Sequence, residues 1–326
     1  MTHGLLSAEA LSKITVRDAG YQAIPITDRE SWLERRHRDV TASVAACLLG
    51  AHEYMTPLQL WTLKAGRFEA GEEETPPMRR GRLLEPVALQ LIGEEHPDWK
   101  VERGTHYYRD AKRRIGATPD AFVFDPNRTG FGILQVKTVE PSVFRRKWRA
   151  EDGTTEPPLW IAVQALVECE LTGASWACVA AMTCGFGLDL HLIEIPLHAG
   201  VLARLYDAIA DFWRAVEINE PPSADFSKDG ALLASLFKED DGTVIDLSGE
   251  NQLPALADED RHLSDEIKQK TGRRKEIKTE LLSKMGVASV AMINGVVFAT
   301  ATTVHKKAYP VVASSFRDVR FKDIDK

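Results

Sequence analysis

Apolar positions recur along this chain with two different periods, and the change of period outlines its elements. Residues 28–66 read as helical segments. Asp28 and Thr41 are candidate caps, the run VTASVAACLLG stops at Gly50, and Thr56-Pro57 opens PLQLWTLKAG, which Gly66 ends. The stretch MRRGRLLEPVALQLIGEEHP places Leu84, Val87, Ala88, Leu91 and Ile92 at helical spacing, so it predicts an amphipathic helix ended by His96-Pro97. Glu85 shares a side with Gly81, Ala88 and Ile92, which points its carboxylate towards the protein. Three short strand signals follow, at 106–109, 120–124 and 131–138, and they read as a small antiparallel sheet. A helix over 157–172 closes at Gly173, two strands follow at Trp176–Cys184 and Leu188–Ile195, and a further helix covers 198–216. This order predicts a mixed α/β layer fold.

Pro221-Pro222-Ser223 marks a boundary. It divides a first domain, 1–225, from a C-terminal α+β extension, 226–326. The extension holds a strand candidate at 243–247, a charged helical stretch from 256 to 285 whose pattern Thr271-Gly272 interrupts, giving two helices or a bent one, and terminal strands. No internal repeat is visible.

Composition narrows the function classes. The chain has 326 residues, 44% of them apolar, enough for one large or two modest cores and too many for disorder. Cys47, Cys169, Cys178 and Cys184 show no C-x2-C spacing, and they fall in expected helix and strand, where cysteine is a small apolar filler. No iron–sulfur cluster is therefore expected, and no zinc-like histidine spacing appears. The apolar runs at 177–182 and 296–303 are too short to span a membrane, and the opening MTHGLLSAEALSK does not read as a signal peptide, so a cytoplasmic protein is expected. The net charge of −7 argues at first against a nucleic-acid partner. Charge is segregated, however. Acidic runs lie at 69–74, 239–241 and 258–260, and basic clusters at 112–114, 145–149, 273–278 and 306–307. A phosphate backbone responds to local potential, so an acidic whole can carry a basic cleft. Any one run taken alone is ordinarily a solvated face.

The informative set is Glu85, then Pro119-Asp120, then Gln135-Val136-Lys137, then Gln164. Gln135 and Lys137 alternate along a strand and so face one side of the sheet. If Asp120 lies on the paired strand, the three side chains converge. Phosphodiester hydrolysis uses such a group: hard oxygen ligands for Mg²⁺ or Mn²⁺, an activated water, and a cation to meet charge developing on the phosphate. Singly, each member has a bland reading, as a surface glutamate, a Pro-Asp turn or a satisfied helix glutamine.

In their order, these residues resemble the PD-(D/E)xK nuclease superfamily, most closely the phage-lambda-type (YqaJ-like) viral recombination exonucleases. Trp32-x3-Arg36 followed by Thr41-Ala42-Ser43 resembles the family's opening arginine and "TAS" motif. Gly81-x3-Glu85 resembles its helix-borne glutamate, Ala117-Thr118-Pro119-Asp120 its "SPD" motif, and QALVECELTG from Gln164 its glutamine helix. The resemblance covers roughly 30–216. It implies a restriction-endonuclease-like core and a Mg²⁺-dependent 5′→3′ exonuclease on linear double-stranded DNA ends. Such an enzyme leaves 3′ single-stranded tails for a single-strand annealing protein, in the cytoplasm of a bacterial host.

By that resemblance Glu85, Asp120, Gln135 and the Val136 carbonyl hold metal, Lys137 serves the attacking water, and Gln164 positions water or substrate. Arg36, Ser43 and Thr118 receive a terminal 5′-phosphate. Arg145, Arg146, Lys147 and Arg149 track the DNA backbone, and Trp148 among them is open to base stacking or to packing. The resembling family forms a ring-shaped trimer, so a homo-oligomer is expected. One position departs from the pattern: Gln135 stands where the family carries a carboxylate. An amide oxygen can ligate Mg²⁺ but brings no charge, which leaves a second expectation, a catalytically weak, DNA-binding relative.

Overall fold

The computed structural model describes residues 21–67 and 74–308, with positions 310, 313, 316–319 and 321 beyond them. The N-terminal segment and the acidic run at 69–73 lie outside the described residues.

The chain divides into two compact units, with the break between Leu232 and Leu233. The first unit opens with strand β1 (Tyr21–Pro25) and helix α1 (Arg29–Arg38), the latter capped by the Asp28 side chain. Strand β2 (Val40–Thr41) runs into the short helix α2 (Ala42–Ala45), and α3 (Pro57–Lys64) starts on a capping box of Thr56 and Gln59. The amphipathic stretch forms α4 (Pro76–Glu95), which buries Ala88 and Ile92. Strands β3 (Lys100–Arg103), β4 (His106–Asp110), β5 (Ile115–Ala117), β6 (Ala121–Phe124) and β7 (Gly132–Val139) follow. Then come α5 (Pro141–Lys147), α6 (Leu159–Thr172), β8 (Trp176–Cys184), β9 (Leu188–Ile195) and α7 (Ala199–Glu217).

The three early strand signals do not share one sheet, which corrects that expectation. β4 lies between β1 and β5 in a four-stranded sheet of order β1-β4-β5-β2, whereas β6 and β7 belong to a five-stranded sheet of order β3-β6-β7-β8-β9. Tyr21–Pro25 is the unforeseen partner that draws β4 away, through an antiparallel register from Tyr21 opposite Asp110 to Pro25 opposite His106. In the larger sheet β7 and β8 pair in parallel over their length, and the other pairs are antiparallel.

The two faces of this sheet are packed differently. Leu134 and Val136 of β7, with Cys178, Ala180 and Met182 of β8, pack with Ala88 and Ile92 of α4. Ile133 of β7, with Ala177, Val179 and Ala181 of β8, packs with α6, which is apolar nearly all round and buries ten of its residues. Cys47 and Cys169 fill the α6 side and Cys178 and Cys184 the α4 side. Burial pushes the Cys47 and Cys178 thiols up to about 12.

The first unit outlasts the sequence boundary drawn after residue 225. Asp229 is fully buried and accepts hydrogen bonds from Thr56 Oγ1 at 2.6 Å, Gln59 Nε2 at 2.9 Å and the Asp225 backbone N–H at 2.8 Å. That carboxylate ties the segment after Pro222 back to the start of α3.

In the second unit, α8 (Gly230–Leu236) crosses the division, α9 (Leu253–Met285) is one 33-residue helix, and β10 (Val290–Ile293) pairs with β11 (Val296–Thr300) around Asn294-Gly295. Two expectations are corrected here. Thr271-Gly272 does not break α9 into two helices, because a helical glycine costs only about 1 kcal/mol, and ion pairs such as Glu266–Lys270 and Arg273–Glu276 support the turns on either side. Residues 243–247 form no strand. Among the described residues no helix is long and apolar enough to cross a membrane.

Candidate active site

β6 and β7 are antiparallel with Ala121 opposite Leu134, so Asp120, one residue before β6, falls opposite Gln135. Asp120 Oδ2 accepts the Val136 backbone N–H at 2.8 Å and a very short hydrogen bond from Gln135 Nε2. Gly104 fixes the chain at this point. Its N–H donates to the Asp120 carbonyl at 2.9 Å, and a Cβ there would lie 2.0 Å from the Pro119 carbonyl oxygen.

Alternation along β7 turns Gln135 and Lys137 towards α6, where a polar chain continues. Gln164 Nε2 donates to Gln135 Oε1 at 2.9 Å and to Glu168 Oε1 at 2.9 Å, and Lys137 Nζ donates to Gln164 Oε1 at 3.2 Å. Lys137 Nζ also lies 5.7 Å from the Trp160 ring centroid. Gln135, Gln164 and Glu168 are all buried. Glu168 Oε2 has no partner among the described residues. Burial, and then the charge of Asp120, push the Glu168 carboxyl well above the usual range. Burial is also the main cause lifting Asp120 to about 6. Lys137 opposes that rise and Glu85 adds to it.

Glu85 approaches from α4, on the other side of the cavity, and pairs with Arg103 at 2.8 Å. A further group closes the wall opposite. Arg36 Nη2 donates to Ser43 Oγ at 3.2 Å, its guanidinium lies 4.6 Å from the Trp32 ring centroid, and Trp32 Nε1 donates to Thr118 Oγ1 at 3.0 Å. Lys64 Nζ holds the Arg36 carbonyl at 2.6 Å. Burial lowers the Arg36 pKa, while Tyr107 and Glu168 act the other way.

Arg36, Ser43, Glu85, Thr118, Asp120, Gln135, Val136, Lys137 and Gln164 thus line one cavity of about 710 Å³. The basic cluster after β7 is not brought into it. Arg145, Arg146 and Arg149 are exposed away from its lining, and Lys147 is paired with Glu53. Trp148 is buried and stacked on Phe144 at 5.7 Å, so it packs and does not offer its ring to a base. Sequence reasoning missed Glu168, Arg103, Gly104 and Lys64. Of these, only Glu168 carried a signal, an acidic residue one turn after Gln164 in a largely apolar helix.

Comparison with known proteins bears on the same stretch. The sequence profile of the YqaJ-like viral recombinase domain matches residues 31–175, from α1 through the glutamine helix to Ser175. Over those residues the chain is similar to YqaJ-like viral recombinase domains. An uncharacterized protein, YqaJ of Bacillus subtilis (strain 168), is 31% identical over 62 residues, a match covering 19% of each chain. Among solved structures, the alkaline exonuclease LHK-Exo of Laribacter hongkongensis is similar at a TM-score of 0.45 and 19% identity, over 63% of this chain and 100% of that one. A phage-related exonuclease from Haemophilus somnus 129PT is similar at 0.37 and 13%, over 55% and 91%.

Proposed function

We propose that the YqaJ-like domain is a metal-dependent 5′→3′ exonuclease acting on linear double-stranded DNA ends, built on a restriction-endonuclease-like core. The observation that carries this reading is a single cavity holding both a carboxylate–amide–ammonium chain, Asp120–Gln135–Gln164–Lys137, and a guanidinium–hydroxyl wall, Arg36–Ser43–Thr118. The first is equipment for hydrolysing a phosphodiester and the second for holding a phosphate.

The donor chemistry fits a hard divalent cation. Glu85 and Asp120 offer carboxylates, Val136 a carbonyl and Gln135 an amide oxygen, all oxygen ligands of the kind Mg²⁺ and Mn²⁺ take. Among the described residues no three His, Cys, Asp or Glu side chains cluster for a metal, so the set offered here is two carboxylates with an amide and a carbonyl oxygen. A bound Mg²⁺ would supply Lewis acidity and an acidified water. Lys137, steadied by Gln164, would orient the attacking water and meet charge on the phosphate. Arg36 and Ser43 hold the terminal 5′-phosphate, which sets where the strand is cut.

A second reading rests on one detail. Gln135 turns its NH₂, and not its oxygen, towards Asp120. To ligate, the amide must rotate, and Gln164 must rotate with it. A catalytically weak, DNA-binding relative would be the result if it cannot. Further parts of the proposal are 3′ tails handed to a single-strand annealing protein, a trimeric ring around DNA, and action in the cytoplasm of a bacterial host. Arg145, Arg146 and Arg149 would track the DNA backbone outside the cavity.

One experiment separates the readings. Linear duplex with and without 5′-phosphate is incubated with Mg²⁺ or Mn²⁺ and the parent, Asp120→Ala or Gln135→Glu proteins. The exonuclease predicts progressive loss of one strand, faster with 5′-phosphate, and a fall of about 10³-fold or more in Asp120→Ala. A silent parent that gains activity as Gln135→Glu selects the binding reading. Cleavage of closed circles overturns end dependence.

A further inference from the structure

Helix α9 is out of proportion to what covers it. It runs for 33 residues, about 50 Å at 1.5 Å per residue, and none of its residues is buried. Leu256, Leu263, Ile267 and Ile277 are each about half exposed or more (49, 49, 64 and 50%). Isolated helices draw little stability from propensity, and aliphatic side chains gain by leaving water, so a helix of this kind calls for a partner.

These four and the half-buried Leu281 form a line, with the exposed Leu282 beside it. Leu256, Leu263, Ile267, Ile277 and Leu281 occupy the two inward positions of a heptad, with Asp260, Lys270, Arg274 and Lys284 in the remaining inward places. Charge is divided along the same helix. Residues 258–266 carry Asp258, Glu259, Asp260, Asp265 and Glu266 against Arg261, and residues 268–284 carry Lys268, Lys270, Arg273, Arg274, Lys275, Lys278 and Lys284 against Glu276 and Glu280.

We infer that α9 pairs with α9 of a second copy of this chain, antiparallel and centred on Gly272. In that register Ile267 meets Ile277, Leu263 meets Leu281, and Asp260 meets Lys284, each pair occurring twice by symmetry. The acidic half of each helix lies along the basic half of the other. A parallel pair would set Asp260, Lys270, Arg274 and Lys284 each against its own copy, and a shift of one heptad either way breaks both aliphatic matches. Lys270 facing Arg274 is the remaining mismatch. It falls beside Gly272, where the absence of a side chain leaves both cations a route to water, and Lys270 already pairs with Glu266. The pairing joins two copies through their second units whether or not the first units cut DNA.

The test uses the full-length protein with Cys184→Ser throughout, since that thiol is partly exposed. Leu263→Cys and Leu281→Cys proteins are purified separately, mixed and oxidised. A 263–281 disulfide between copies is expected, and neither protein alone should cross-link. In Ile267→Asp/Ile277→Asp, the sedimentation mass should fall to half that of the parent, from dimer to monomer or, where the first units form the trimeric ring, from a pair of trimers to one. Leu263→Cys linking to itself as fast as to Leu281→Cys would show parallel pairing. Absence of the mixed disulfide together with an unchanged mass in the aspartate variant would show that something other than a second α9 covers the seam. Either result overturns the proposal.

Discussion

The two faces of β7 are built from alternate residues of one strand and do opposite work. Leu134 and Val136 face α4 in an apolar cluster, whereas Gln135 and Lys137 face α6 and meet a chain of polar groups. An unpaired buried amide costs about 1–3 kcal/mol, so polar side chains persist on an inner face only when each finds a partner. Here the partners are one another, from Asp120 through Gln135 and Gln164 to Lys137 and Glu168. The apolar face makes the strand rigid, and the polar face uses that rigidity to hold chemistry at one end of the sheet.

The largest expected effect breaks the apolar face. Leu134 is fully buried between α4 and the sheet. Leu134→Ala should cost about 2–5 kcal/mol, read as a lower urea midpoint with an unchanged slope. Nuclease activity measured well below the new unfolding temperature should fall less than stability does, because Asp120, Gln135, Lys137 and Gln164 are held by the other face and only Glu85 comes from α4.

The next effect acts on the polar face in the opposite direction. Asp120 holds its proton more tightly folded than unfolded, since burial lifts it from 3.8 to about 6. The folded chain therefore binds the extra proton between those values, and stability falls as pH rises through that window, the full cost remaining above it. In EDTA at pH 8, Asp120→Asn should stabilise the protein by at most about 3 kcal/mol and abolish cleavage, while below pH 4 the two proteins should melt alike. Added Mg²⁺ should raise the melting temperature of the parent and leave the Asn variant unmoved.

The contrast between the faces also explains what the sequence disclosed. Period and motif order placed α4, β7 and the cavity's principal residues, because alternation and helical spacing decide which side chains converge. The partition into two sheets was not legible. β1, β3 and β5 are short, and which strand β4 joins depends on a pairing with Tyr21–Pro25 across most of a hundred residues. Gly104 was silent for a similar reason: the close approach of Pro119 that requires glycine exists only once β3 and β6 are paired. Glu168 looked like one glutamate in an apolar helix until Gln164, four residues before it, was seen bridging to Gln135.

Glu168 also carries the smallest prediction, and it decides whether the polar face needs a charge or a shape. The carboxyl is buried, its Oε1 accepts from Gln164, and its Oε2 has no partner among the described residues. Burial and Asp120 both favour its protonated form. A neutral acid is nearly isosteric with glutamine, which would present the same carbonyl oxygen to Gln164. Glu168→Gln should then cost under about 1 kcal/mol and leave the cleavage rate within about threefold. Glu168→Leu removes that acceptor, leaves the Gln164 NH₂ one partner short and frees it to turn away from Lys137. It should cost about 1–3 kcal/mol and lower kcat with little change in KM for DNA. If Glu168→Gln fails as badly as Glu168→Leu, the site needs the carboxylate's charge, and Glu168 would be supplying what Gln135 lacks.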